Sequence, residues 1–301
     1  MPENTLIEEI AALKKEKDAV ILAHNYQRGS VQDAADHVGD SLELARTALN
    51  LECECIVFCG VDFMAESAAV LNPDKTVLLP EKDAGCPMAM MATAEQVRAA
   101  TQRYEDVAVM AYVNTSADVK AEADICCTSA NSIEVVNSLE QEEVLFVPDK
   151  NLASWTQKHS SKHIIQWDGY CATHHHILLE DVLSAKHEHP SSLLMVHPEC
   201  RPEVCDVADV VTSTSGMLRF AKGSDANEFI IGTEIGLLHT LKRQCQNKQF
   251  YPASPYAVCP SMKMITLESI KRALELGEST VSVEKSVQKR AKLAIERMLK
   301  V

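Results

Sequence analysis

The chain has 301 residues, 46% hydrophobic and 24% charged, enough to bury an ordinary core in two or three compact units at roughly 150 residues per domain. Lys and Arg total 29 against 43 Asp and Glu, a net charge of −14, and such a field repels phosphate backbones and anionic lipid, so nucleic acid is not an expected partner. No apolar run approaches the roughly 18–20 residues of a bilayer span, and the charged amphipathic start has no signal-peptide core, so no membrane association and a cytoplasmic location are expected.

An amphipathic helix is predicted over residues 1–18, followed by three similar stretches of chain. In the first, the β-prone run at 20–26 (VILAHNY) leads to Asp36, to Ser41 opening a helical SLELARTAL, to the apolar run at 55–61 with Asp62 behind it, and to TVLLP and Cys86. The second repeats this order from 107–114 (VAVMAYVN) through Asp124, Ser129, a helix, VLFVP with Asp149, HIIQW and Cys171. The third runs from 193–199 (LLMVHPE) through Asp209, Thr214, a helix, FIIGT with Glu234, QFYP and Cys259. With His24, Tyr112 and His197 as anchors, the three aspartates lie 12 residues on and the three hydroxyls 17 on, while the second acidic group lies 37 or 38 on. The cysteines follow at 62, 59 and 62. Anchor spacings of 88 and 85 residues suit small domains better than a solenoid.

Strand, helix, strand order within each stretch predicts an α/β fold of three pseudo-threefold-related αβα domains with small parallel sheets. The units expected are 1–89, 90–175 and 176–261, with the amphipathic helices of 262–301 packing on the first. Such units bring their strand C-terminal ends, where open α/β sheets bind ligands, to one central site.

Eleven cysteines in a reducing compartment point to metals or catalysis rather than disulfides. Cys86, Cys171 and Cys259 share the repeat, and three thiolates on one axis make a metal site that leaves one position open; soft sulfur selects zinc, copper(I) or iron-sulfur clusters. Cys53, Cys55, Cys59, Cys126, Cys127 and Cys245 lie in apolar or helical runs and read as buried small hydrophobes, a second cluster on Cys53, Cys55 and Cys59 being the lesser reading. Cys200 and Cys205 flank HPE and are candidates for a reversible disulfide or for contact with the site. Ser41, Ser129 and Thr214 stand where helix N-termini offer unsatisfied N–H groups to a carboxylate or phosphate, plain capping being the alternative. His24, Tyr26, Tyr112, Asn114, His197 and Glu199 ring the same mouth. Of His174, His175 and His176, three consecutive side chains that cannot face one point, His174 is taken as the site residue and the others as solvated.

These residues fall in segments that together resemble the quinolinate synthases: HNYQ at 24–27, GDSLELA at 39–45, AGCPMA at 84–89, the stretch 111–131, WDGYC at 167–171, HPEC at 197–200, TSTSGM at 212–217 and CPSMKMIT at 259–266. The resemblance implies three αβα domains around a 4Fe-4S cluster held by Cys86, Cys171 and Cys259, and condensation of iminoaspartate with dihydroxyacetone phosphate, with loss of phosphate and water, in NAD biosynthesis. It further implies that His24, Ser41, Ser129, Ser213 and Thr214 hold carboxylate or phosphate groups, that Tyr112, Asn114, His174 and His197 line the site, and that Tyr26 and Glu199 are acid-base groups. An L-aspartate oxidase would be the source of iminoaspartate. Glu199 would serve near neutral pH if its pKa is raised. Two other functions fit the cysteines alone: a zinc or other metal hydrolase using the three thiols and a histidine, and a non-enzymatic iron-sulfur carrier or sensor.

Overall fold

A computed structural model describes residues 3–301; the first two residues of the predicted N-terminal helix lie outside the described residues. Among the described residues, twelve short strands form three four-stranded sheets, each with its strands in the same order. The first holds β1 (Ala19–His24), β2 (His37–Gly39), β3 (Cys55–Cys59) and β4 (Thr76–Leu78), the second β5 (Val107–Tyr112), β6 (Ile125–Cys127), β7 (Glu143–Val147) and β8 (His163–Gln166), and the third β9 (Leu193–Val196), β10 (Val210–Val211), β11 (Glu228–Gly232) and β12 (Gln249–Pro252). Every pair of named strands is parallel, in the orders β2-β1-β3-β4, β6-β5-β7-β8 and β10-β9-β11-β12. The expected α/β architecture of three small parallel sheets is therefore what the chain adopts.

The twelve-residue spacing has a local cause. Asp36 accepts the Ile21 N–H at 2.8 Å, Asp124 the Val109 N–H at 2.8 Å, and Asp209 the Leu194 N–H at 2.7 Å. Each aspartate caps the turn that carries its sheet from the first strand to the neighbouring edge. The chain reverses its direction of winding between the two central strands, and at this switch point the crevice beyond the strand C-termini is open to a ligand. Central strands such as β3 are buried along their whole length, as parallel sheets covered on both faces must be. In the third unit the two faces make separate cores: Leu194, Val196 and Ile230 pack on one side, and Met195, Phe229 and Ile231 on the other.

The helix Glu3–Glu16 lies against β1 and against Leu267–Leu276. After Leu267–Leu276 the chain runs antiparallel along β4, with Val281 N–H bonded to the Val77 carbonyl at 2.8 Å, which covers an edge that would otherwise be unpaired. The expectation that all C-terminal helices pack on the first unit is corrected here. Lys285–Lys300 sits on β6 and the short helix Ala117–Lys120, with a smaller contact to Asp62–Leu71 of the first unit. Its Ala291, Ala294, Ile295 and Met298 are buried in the second unit's core. Residues at i, i+3, i+4 and i+7 announce a buried stripe but do not name its partner. Cys53, Cys55, Cys59, Cys126, Cys127 and Cys245 are all buried among apolar side chains.

Candidate active site

The strand ends of the three units meet at one cavity, lined among others by His24, Tyr26, Ser41, Cys86, Tyr112, Asn114, Ser129, Cys171, His174, His197, Glu199, Thr214 and Cys259. Of the residues expected there, only Ser213 is set back: it caps the helix Thr214–Gly223 by accepting the Gly216 N–H at 3.2 Å and donates to Asp40 Oδ2 at 3.2 Å. Two of the expected caps are displaced by one residue and the third by two. Asp40 caps Ser41–Leu49 through the N–H groups of Leu42 and Glu43, so Ser41 and Thr214 are first helical residues, while Ser129 lies in the loop before a helix whose cap position is Asn131.

One wall carries the cysteines. Each ends a loop held by the second acidic residue of its repeat: Cys86 N–H donates to Asp62 Oδ1 at 3.2 Å, Cys171 N–H to Asp149 Oδ2 at 2.9 Å and Cys259 N–H to Glu234 Oε1 at 3.2 Å. Asp149 and Glu234 are fully buried. Glu234 is neutralised by Lys263, 2.9 Å away, whose ammonium also donates to the Tyr26 carbonyl and so ties the third unit to the first. Gly236 permits this approach, since a Cβ there would stand 2.8 Å from the Tyr26 carbonyl carbon. Burial pushes the Cys86 thiol up to about 12 and raises Cys171 and Cys259 as well, so these thiols ionise when a cation takes them. The three sulfurs do not all come within 4.8 Å of one another. Thiols spread around one cavity suit a polynuclear cluster, which takes its ligands on separate metal atoms.

Much of the remaining lining is polar. His24 Nδ1 accepts the Tyr26 N–H at 3.2 Å and His197 Nδ1 the Glu199 N–H at 3.3 Å, so in each ring Nε2 carries the proton. The His197 Nε2 lies 3.0 Å from Ser129 Oγ. Burial lowers the His24 pKa to about 4 and the His197 pKa to about 3, which makes both rings neutral N–H donors at neutral pH. His174 is different. Its Nδ1 stands 2.6 Å from Glu199 Oε2, and its Nε2 2.8 Å from Thr233 Oγ1. Thr233 in turn lies 2.6 Å from Tyr26 Oη.

Burial alone would lift the Glu199 carboxyl, but the His174 ring and hydrogen bonds from His174 and Tyr112 outweigh it and hold the group well below the usual carboxylate range. The raised pKa that sequence reasoning attached to Glu199 is therefore corrected: it is an ionised acceptor. Burial, then Glu199, raises the pKa of Tyr26 and of Tyr112, so both keep their protons.

Sequence reasoning missed Thr233, Asp40, Thr128 and Thr173. Thr233 adjoins the repeated Glu234, but its counterparts are Gly60 and Pro148, so no repeat marks it; Asp40 was legible as the cap position before Ser41. Cys200 and Cys205 are free and buried, their thiols directed at the Gly232 and Cys200 carbonyls and away from the cavity lining. His176 is exposed and His175 half-buried against Asn151.

A family model described as Quinolinate synthetase A protein matches residues 8–300. The chain is 54% identical over 297 residues to the quinolinate synthase of Thermodesulfovibrio yellowstonii, covering 98% of each protein. It is 55% identical over 294 residues to that of Methanoregula boonei, covering 98% of this chain and 97% of the other. With the quinolinate synthase of Methanosarcina barkeri the identity is 54% over 301 residues, covering 100% and 99%. Agreement of this extent, over all three units and every cysteine loop, means that the chain belongs to the quinolinate synthase family.

Proposed function

We propose that the protein condenses iminoaspartate with dihydroxyacetone phosphate to quinolinate, releasing phosphate and water, with a 4Fe-4S cluster on Cys86, Cys171 and Cys259. The observation that carries this reading is the set of three equivalent cysteine loops, each N–H held by an acidic side chain, facing one cavity. An iron-sulfur carrier has no use for the asymmetric Tyr26, Thr233, His174, Glu199 network.

When bound, a cluster with three protein ligands supplies one iron open to a substrate oxygen as a Lewis acid. The remaining chemistry falls to the chain. Both substrates are anions, and the N-termini of Ser41–Leu49 and Thr214–Gly223, with their hydroxyls, offer donors to carboxylate or phosphate. His24 and His197 add neutral N–H donors that orient substrate oxygens without giving up a proton. Glu199, ionised in the resting site, is placed to accept protons released during dehydration and ring closure as it gives up the hydrogen bonds from His174 and Tyr112 that hold it low. Thr233 Oγ1 bridges His174 Nε2 and Tyr26 Oη, which also stand 3.2 Å apart, and the other nitrogen of His174 meets Glu199, so one hydrogen-bonded chain joins the tyrosine to the carboxylate. Tyr26, which keeps its proton and lines the cavity, is the acid for a departing hydroxyl. Phe63, Met64, Met88 and Met262 line the same cavity and exclude water. The three units at 1–89, 90–175 and 176–261, a cytoplasmic location and supply of iminoaspartate by an L-aspartate oxidase belong to the same proposal; no helix among the described residues is long and apolar enough to cross a membrane.

Anaerobic purification followed by iron and acid-labile sulfide analysis, and by a condensation assay for quinolinate on the same sample, tests the reading. About four irons and four sulfides per chain with quinolinate formed are expected. Zinc without sulfide, or a loaded cluster with no quinolinate, would overturn it.

A further inference from the structure

The cavity contains a second constellation of metal-binding type that shares one residue with the three-cysteine set. Cys171 and His174 stand three residues apart at the turn of helix Ala172–His175, which brings Sγ to 3.1 Å from Nδ1. Glu199, from the loop after β9 in the third unit, places Oε2 2.6 Å from the same nitrogen. These donor atoms all lie within 4.8 Å of one another, and no other group of three His, Cys, Asp or Glu converges so closely among the described residues. A tetrahedral zinc site with bonds of about 2.0–2.3 Å has ligand edges of roughly 3.5 Å, so the two contacts to Nδ1 need to open by less than one ångström. Thiolate, imidazole and carboxylate together suit Zn2+, and three protein ligands leave a fourth position open.

The surroundings already resemble those of a metal-bound histidine. Its other ring nitrogen is fixed by Thr233 Oγ1 at 2.8 Å, and the carboxylate accepts a hydrogen bond from Tyr112. Such outer partners set the tautomer and orientation of a ligand. His174 is 1% exposed and Glu199 2%, so these two donors are already shielded from bulk water.

We propose that the cluster-free protein binds one Zn2+ through Cys171 Sγ, His174 Nδ1 and Glu199, and that zinc and the cluster exclude each other because both require the Cys171 thiolate. Bond formation displaces the thiol proton and the proton on Nδ1 to solvent, with no change of oxidation state. Zinc binding stands on the triad alone; the exclusion rests on the function proposed above.

The test is titration of the reduced, cluster-free full chain with Zn2+ against a chromogenic chelator, and with Co2+ followed by absorption. One zinc per chain is expected, with a tetrahedral cobalt spectrum whose charge-transfer intensity corresponds to one thiolate. Replacing both Cys86 and Cys259 by Ser leaves these readings in place. Glu199→Gln weakens zinc at least about tenfold, and Thr233→Val about tenfold. A cobalt spectrum of three thiolates, or zinc affinity that follows Cys86 and Cys259 and ignores Glu199, overturns the site. The cobalt reading uses the unaltered chain and so decides the matter even where a variant misfolds. Zinc-loaded protein should refuse iron and sulfide until a chelator is added, and unimpeded incorporation at full zinc occupancy overturns the exclusion. Refusal by zinc-free protein would count against the proposed function instead.

Discussion

Asp149 joins a helix start to a cysteine loop, and its removal has a calculable cost. One oxygen accepts the Leu152 N–H at 2.8 Å and caps Lys150–Lys158; the other accepts the Cys171 N–H at 2.9 Å. Loss of a cap costs about 1 kcal/mol, and an orphaned buried N–H about 1–3 kcal/mol. Asp149→Ala should therefore destabilise the second unit by about 2–4 kcal/mol. Both tryptophans of the chain report on that unit: Trp155 lies in the capped helix, and Trp167 follows β8 with its indole bonded to the Met91 carbonyl at 2.8 Å. Urea unfolding followed by tryptophan fluorescence should show the midpoint falling by about 1–2 M at a slope near 2 kcal/mol/M. Asp149→Asn keeps one acceptor and turns an amide NH2 toward the other N–H, so about half the loss is expected. An alanine variant whose midpoint moves by less than about 0.3 M would refute the reasoning.

Other expectations follow from the same geometry. Thr233→Val should lower turnover about tenfold with iron content unchanged, since it removes the hydroxyl that bridges Tyr26 and His174 and leaves only their direct contact at 3.2 Å, and Thr233→Ser should restore most of it; steady-state rates within about twofold of the parent for the valine variant would remove Thr233 from the mechanism. Cys259→Ala should abolish iron and sulfide incorporation, whereas Glu199→Gln should retain the brown cluster and lose most turnover, a separation read by metal analysis beside the condensation assay. Glu122 is held below the usual carboxylate range by hydrogen bonds from Arg98 and, against partial burial, from Arg290. A depressed carboxyl stabilises above its unfolded pKa and stops doing so as pH falls through the folded value. Glu122→Gln should thus cost up to about 1 kcal/mol at pH 7, with urea midpoints of variant and parent converging below about pH 4; a constant difference would contradict the assignment.

What could be read from the sequence is whatever obeys the threefold symmetry. Asp36, Asp124 and Asp209 perform one backbone task three times, and the cysteines with their acidic partners perform another, so constant spacing exposes both. The chemistry resides in the departures. Two residues beyond each anchor stand Tyr26, Asn114 and Glu199, and three beyond each cysteine stand Ala89, His174 and Met262. No repeat marks Thr233, because its counterparts are Gly60 and Pro148, and its role is set by contacts between units that no local pattern records. The residues themselves marked most of the ring, including His174, and the resemblance added Ser213, but neither disclosed the direction of the Glu199 shift, which depends on the His174 ring facing it across a unit boundary. The docking of Lys285–Lys300 was likewise illegible, since an apolar stripe fits any complementary surface.

That docking also bears on the order of synthesis. The sheet of the second unit is complete by residue 166, yet its core waits for Ile295 and Met298. The first unit waits in the same way for Leu267–Leu276 and the strand-like segment behind it. Only the third unit gathers its buried residues from a single uninterrupted stretch apart from Trp155 at its margin. A chain emerging from the ribosome can therefore finish its last sheet before its first two, and the joint between the first and second units is sealed by Lys285–Lys300, made after all three sheets.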